Sequence, residues 1–359
     1  MPAQLYTLED LKENRTPLLE FDQDSLVASL QADLDAYNMT VSEGLSAISV
    51  DTTDRESGRG GQRASSMRRV GRIGRSPAPK PQPGANVHFP LFKFERNVGF
   101  DREFMESATV RDMAVAQNDV KLAHMLTQYD ELRQAMYFKS NYQIDDKFGL
   151  KDNAILTVRR FLNGDGDPIG MGPDSLQEFD GSTHSHYLGV ATAGTLTDAD
   201  LEALVFTVVE HGFTGRVVIE IHYLDIGRFD ALPKFRPALS DLVVPSTTVV
   251  NPVTQPSASE MNRVSNKFIG IWNNTVEIWT KPYTVPGRLL CYDRADSRKP
   301  LKRRLRPQPR LRGLYLAGQN HAHPLYADFY EAYQGFGAWT REAAAVLDVT
   351  ATAYSDPAI

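Results

Sequence analysis

Apolar side chains recur at helical spacing between Gln23 and Tyr37, at Leu26, Val27, Leu30, Leu34 and Tyr37, with Asp22 or Asp24 placed to cap the run. The spacing predicts a short amphipathic helix on an N-terminal arm, and its stripe suits packing on the same body or on a neighbouring copy equally well. A second run opens at Thr109 with Asp112 three residues on, a capping-box pattern, and meets no Pro or Gly until about Ser140. Its face is marked by Val110, Met113, Ala114, Val120, Ala123, Leu126 and Leu132. A helix of about 30 residues is roughly 45 Å long, which suits the rigid backbone of a flat or elongated body as well as a long core helix. Further on, Ile155 to Leu162 reads as a strand. Thr197 caps a helix through Glu210 with Asp200 at its third position and Gly212 as its stop, and Arg216 to Leu224 returns as a strand. Strand, helix, strand suggests a small α/β subdomain. Leu232 to Ser259 reads as long loops, and strands are predicted at Asn274 to Thr280 and Gly287 to Tyr292 around the turn KPYTVPG. No internal repeat is seen.

One stretch breaks this order. From Arg55 to Arg75 the chain carries Arg55, Arg59, Arg63, Arg68, Arg69, Arg72 and Arg75 against the single acid Glu56. So charged and apolar-poor a segment buries too little surface to offset its ordering entropy alone, so it needs a partner. Ser76 to Gly84 is Pro-rich and extended, and Asn86 to Val98 alternates like a strand. Together they predict a hairpin-like projection whose limbs of about 20 residues reach roughly 65 Å, against a radius of gyration near 19 Å for a compact body of about 300 residues.

The 359 residues, 42% hydrophobic and 23% charged, suffice for one or two ordinary cores. The net charge of -6 hides a segregation: bases gather in the arm and in Lys299 to Arg312, and acids dominate the first 56 residues. The lone Cys291 excludes an intrachain disulfide and reads as a buried strand residue in a reducing compartment. Neither a secretion signal nor a membrane span is recognised, and a cytoplasmic site of synthesis is expected.

Candidate chemistry is sparse. His184 and His186, and His321 and His323, form two His-x-His pairs; in a strand each pair shares a face, as metal ligands would. Neither pair has a carboxylate at helical ligand spacing, so hydrogen-bonded structural histidines are expected, with no metal and no cofactor. Asn163, Asp165, Asp167 and Asp174 fall on a calcium-loop count, but Pro168 takes the place of the turn glycine, so an Asx-rich turn is expected. No nucleophile elbow, phosphate loop, dinucleotide fingerprint or Cys-x-x-Cys pair occurs, and no catalytic residue is assigned. Nucleic-acid recognition as the main role is disfavoured, because the arginine-rich run lacks aromatic stacking residues and the chain is acidic overall.

The last sixty residues add a basic segment from Lys299, a His-Pro-Leu turn, the aromatic Gly-Phe-Gly stretch Phe329 to Trp339 and the apolar strand Ala343 to Val349. This end resembles the major capsid proteins of tailed phages, the Hong Kong ninety-seven fold shared with encapsulins and gene-transfer-agent capsids, and the order of the earlier parts matches too. The resemblance implies an α+β major capsid fold with N-terminal arm 1–50, extended loop 51–102, peripheral domain with spine helix 103–150, axial domain 151–300, peripheral C-terminal strands 301–352 and tail 353–359. It implies no enzyme but a structural subunit of a virion, assembled in the bacterial host cytoplasm into an icosahedral shell around packaged double-stranded DNA. The expected partners are copies of itself in hexamers and pentamers and, non-specifically, DNA on the inner face. Scaffold, decoration and portal proteins are optional further partners, and no membrane is involved. Arg55, Arg59, Arg63, Arg68, Arg69, Arg72, Arg75 and Lys80 are the expected inter-subunit contacts on the loop, ion-pairing with a neighbour's acidic surface. Some members crosslink subunits through a loop lysine and an asparagine; Lys80 and Asn320 match no such motif, so Lys80 is expected to be solvated. The alternatives are an encapsulin-like compartment with protein cargo and, in a different class, a metal-dependent enzyme using the His-x-His pairs.

Overall fold

The computed structural model of the chain describes residues 5–58, 86–148, 154–167, 169, 179–238, 266–320 and 325–359. Helix α1 (Leu8–Glu13), with a Thr7–Asp10 capping box, precedes α2 (Gln23–Leu45). Strands β1 (Ser49–Thr52), β2 (Glu56–Gly58), β3 (Asn86–His88) and β4 (Phe92–Asp101) lead to α3 (Arg102–Ser107) and α4 (Val110–Tyr137). Next come β5 (Tyr142–Asp145), β6 (Ile155–Val158), β7 (Tyr187–Gly189), α5 (Asp198–Val209), β8 (Val217–Ile221), α6 (Ile226–Phe229) and β9 (Phe235–Pro237). The chain closes with β10 (Phe268–Trp272), β11 (Val276–Thr280), β12 (Arg288–Asp293), β13 (Leu301–Leu305), β14 (Gly313–Asn320), β15 (Leu325–Ala338) and β16 (Ala344–Asp348).

Both expected capping boxes are present. The Thr109 backbone N–H and hydroxyl donate to Asp112 at 2.8 Å, and Thr197 and Asp200 repeat the arrangement at the start of α5. These reciprocal bonds satisfy amides that would otherwise be orphaned in the first turn. Gly212 ends the α5 region at φ 85°, a left-handed conformation that glycine adopts without steric cost.

Two sheets carry the body. A seven-stranded sheet runs β7-β16-β12-β8-β11-β10-β9, and a five-stranded one runs β1-β13-β15-β14 with β4 also paired to β15. Strands β12 and β16 are buried at every position because both faces are covered. On one face Leu289, Cys291, Ala345 and Leu347 pack under α5 with Leu201, Leu204 and Val208; on the other Leu290, Tyr292, Ala344 and Val346 meet Leu132, Met136 and Tyr137 of α4 and Phe336 of β15. This second cluster joins the two sheets, so α4 acts as the strut between them.

Several elements depart from their predicted bounds. Helix α2 continues past Tyr37 to Leu45, where Asn38 donates to the Leu314 carbonyl and accepts from its amide, both at 2.9 Å. The strand starting at Ile155 ends at Val158, because the Arg160 amide donates to the Asn141 side chain at 2.9 Å instead of to a strand partner. Strand β8 ends at Ile221 and passes into a short 3-10 turn. Strand β10 was not predicted; it pairs with β11 across Asn273 and Asn274, both left-handed at φ 47° and 62°. Within 301–352, β13 to β15 lie in the five-stranded sheet and β16 in the seven-stranded one.

Candidate functional site

Strands β2 and β3 form the base of the expected projection, pairing Glu56 with His88, Ser57 with Val87 and Gly58 with Asn86. Between these limbs lie 59–85, so Arg59, Arg63, Arg68, Arg69, Arg72, Arg75 and Lys80 fall outside the described residues. Of the eight named contacts only Arg55 is described: its carbonyl accepts from the Phe89 amide at 2.9 Å, and its side chain is half-buried. The stem is tied down through His88, whose Nδ1 lies 3.1 Å from the Thr157 carbonyl of β6 and whose Nε2 lies 3.3 Å from Glu56.

The Gly-Phe-Gly stretch explains how the outgoing limb crosses the sheet. Strand β4 pairs with β15 from Asp101 back to Phe92, opposite Gln334, and residues 88–90 then pass against Gly335 and Gly337. A Cβ at Gly335 would lie 2.4 Å from the Pro90 carbonyl oxygen, and one at Gly337 would lie 2.9 Å from that of His88. Only hydrogen leaves room there. Phe336, between them, points the other way into the core. Arg304 fixes the crossing, donating from Nη1 to the Phe89 carbonyl at 3.0 Å and to Asp146 at 2.9 Å.

Two bases of the second basic segment are internal. Arg303 and Arg304 are 3% and 5% exposed. Arg303 forms a two-pronged pair with Asp51, both bonds 2.7 Å, fastening β1 to β13. Burial raises the Asp51 carboxyl, but the hydrogen bonds and charge of Arg303 outweigh it and leave the group below the ordinary carboxylate range. The calcium-count residues likewise face a guanidinium: wholly buried Arg341 donates to Asp165 at 2.9 and 3.1 Å, to Asp167 at 2.7 Å and to Asn163 at 3.3 Å. Pro168 and Asp174 lie outside the described residues.

The histidine pairs separate. His321 and His323 lie outside the described residues, whereas His184 and His186, on the approach to β7, meet His211 just beyond α5. The three Nε2 atoms are 3.0, 3.1 and 3.2 Å apart, and Oε1 of Glu210 is 3.5 Å from that of His184. His186 Nδ1 lies 2.8 Å from the Ala344 carbonyl, to which it donates. Burial lowers the pKa of His184 and, together with neighbouring His211, depresses that of His186 much further; burial also lifts Glu210 to about 7. His211 and Glu210 were missed in the sequence because they lie more than 20 residues along the chain from the His-x-His pair.

No family model matches the sequence, and no curated protein is similar to it. Among solved structures, a chain of Mycobacterium phage Patience is similar over 99% of this chain and 96% of its own, at 18% identity and a TM-score of 0.66. This chain has the fold of a phage protein. Chains in the capsid of a native GTA particle (11% identity, 87% and 91% covered, TM-score 0.48) and in the holo-SrpI encapsulin complex from Synechococcus elongatus PCC 7942 (15%, 77% and 80%, 0.41) are also similar. The mixed helix and sheet architecture expected from the sequence is the one found, and it matches the Mycobacterium phage Patience chain over nearly its whole length.

Proposed function

We propose that the chain is a structural capsid subunit that assembles with copies of itself, as hexamers and pentamers, into an icosahedral shell enclosing packaged double-stranded DNA. The observation that carries this reading is the end-to-end correspondence of fold with a phage chain. Two features of the molecule support it. The β2–β3 stem holds the two ends of the 59–85 segment together, and β4 beyond it is paired along its length to β15. Helix α4 also leaves Val115, Leu122 and Leu126, 42%, 47% and 59% exposed, along one stripe that a neighbouring subunit would cover.

On this reading the subunit catalyses nothing, belongs to the virion, and uses the arm residues Arg55, Arg59, Arg63, Arg68, Arg69, Arg72, Arg75 and Lys80 against its neighbours. Its interfaces then total well above about 2,000 Å² per subunit, as in permanent assemblies. The domain plan becomes an arm at 1–50, a loop at 51–102, a peripheral sheet with α4, and an axial sheet that also takes β16. Among the described residues no helix is long and apolar enough to cross a membrane. The test replaces Arg59 to Ala85 by Asn-Gly, which closes the stem as a tight hairpin. Negative-stain microscopy should show closed particles for the full chain and soluble, unassembled subunits for the variant; normal particles from the variant would refute the role given to the arm.

A further inference from the structure

Three Nε2 atoms within 3.2 Å of one another pose an electrostatic problem. His186 donates through Nδ1 to Ala344, so in its neutral form its Nε2 is a bare lone pair. His184 and His211 cannot both answer it with an N–H, because two hydrogens would then confront each other across 3.0 Å. A cation placed among the three nitrogens removes the conflict. We propose that His184, His186 and His211 bind a zinc ion with Glu210 as the fourth ligand, forming a closed structural site.

The geometry fits. With Zn–N bonds of about 2.05 Å, an ion equidistant from nitrogens 3.0 to 3.2 Å apart sits about 1 Å out of their plane. Tetrahedral ligands at that bond length are about 3.3 Å apart. The Glu210 oxygen is already 3.5 Å from the His184 nitrogen and 3.9 Å from that of His211. The Ala344 carbonyl orients His186 as outer-shell acceptors orient metal-bound imidazoles. Phe179 covers the site, its ring centre 4.6 Å from the His184 ring and 4.5 Å from that of His211. Glu210 caps the C-terminal, electronegative end of α5, which favours a cation. Three imidazoles and one carboxylate suit zinc and leave no open position for substrate, so this ion would fasten the α5 terminus to the β7 and β16 edge of the sheet without supplying chemistry.

The proposal stands independently of shell assembly, so metal content and particle formation test separate claims. The full-length protein, stripped with a chelator and dialysed against zinc chloride, should retain one zinc per chain by elemental analysis. Loaded with cobalt instead, it should show the intense visible bands of a tetrahedral site. His211→Gln and the less buried His184→Gln should each lower zinc affinity at least tenfold, and zinc should raise the Tm of the parent protein but of neither variant. Absence of stoichiometric zinc in the parent protein, or equal binding by either folded variant, overturns the proposal.

Discussion

Substituting Gly335 by Ala puts the sheet crossing under direct test. The new methyl would lie 2.4 Å from the Pro90 oxygen, against about 3.3 Å for ordinary carbon–oxygen contact, so 88–90 must move by about 0.9 Å. A shift of that size stretches the 3.0 Å bond from Arg304 to the Phe89 carbonyl beyond hydrogen-bond range. Overpacking costs about 1–3 kcal/mol, and the buried donor and acceptor left unmatched cost about 1–3 kcal/mol more. The total of about 2–6 kcal/mol is a large share of the 5–15 kcal/mol or so that holds a typical native state, and lowers Tm by about 3–8 °C. The assay is thermal unfolding of the purified subunit, followed, on the proposed reading, by microscopy of particles. Gly318→Ala on neighbouring β14 is the control, since nothing lies within 4 Å of the Cβ it adds. If Gly335→Ala melts within about 1 °C of the parent and assembles normally, the crossing does not depend on a missing side chain and the reasoning fails.

Two further outcomes follow from buried charge. Arg341→Met leaves Asp165 and Asp167 with Arg159 as their remaining guanidinium, 2.9 Å from Asp167, and should cost about 3 kcal/mol in chemical denaturation, the low end for a broken buried pair. Burial raises the Asp165 carboxyl, but Arg341's hydrogen bonds and charge hold it below its ordinary value. Its contribution is therefore present above about pH 4 and lost as pH falls through the folded pKa, and the variant should lack that acid arm. Glu220 shows the opposite sign: wholly buried, it accepts from Tyr283 at 2.7 Å and Tyr292 at 2.8 Å, and burial raises its pKa despite the opposing charge of Lys281. Ionising it costs the folded state stability as pH rises above about 4.3, so Glu220→Gln should gain on the parent between pH 5 and 8 in urea midpoints; parallel curves would exclude this.

What the sequence made legible was local. Thr109 with Asp112, and Thr197 with Asp200, announce helix starts through neighbours three residues apart, and Gly212 announces a stop, because their partners lie within one helical turn. What stayed hidden depends on residues far apart in the chain. A count of bases from Lys299 to Arg312 cannot tell that Arg303 reaches Asp51 or that Arg304 reaches Phe89. Asp165 and Asp167 imitate a calcium loop until Arg341 arrives from the other end of the chain. His184 and His186 looked solitary because His211 reaches them only after α5 has folded back. Strand β10 alone had an unread local signal, the Asn273–Asn274 pair that turns it into β11.

The arginines divide by what the fold asks of them. Arg133 bonds the Pro282 and Tyr283 carbonyls, Arg288 joins Asp348 to the Ser355 carbonyl, and Arg303, Arg304 and Arg341 each pin segments more than 150 residues apart. A planar fork of five donors suits such junctions, where several acceptors must be met at once. Each junction also consumes acids, so Asp51, Asp146, Asp165, Asp167 and Asp348 are already neutralised within the subunit. Acids left at the surface include Glu13, Asp24, Asp35 and Glu43 along the N-terminal helices. On the proposed reading these are the counter-charges an arginine-rich arm from the next subunit would meet. Contact there adds electrostatic steering and register to an association whose affinity rests on apolar faces such as the α4 stripe. High salt should accordingly slow assembly of such a shell more than it loosens a finished one, because screening weakens exposed pairs far more than buried surface.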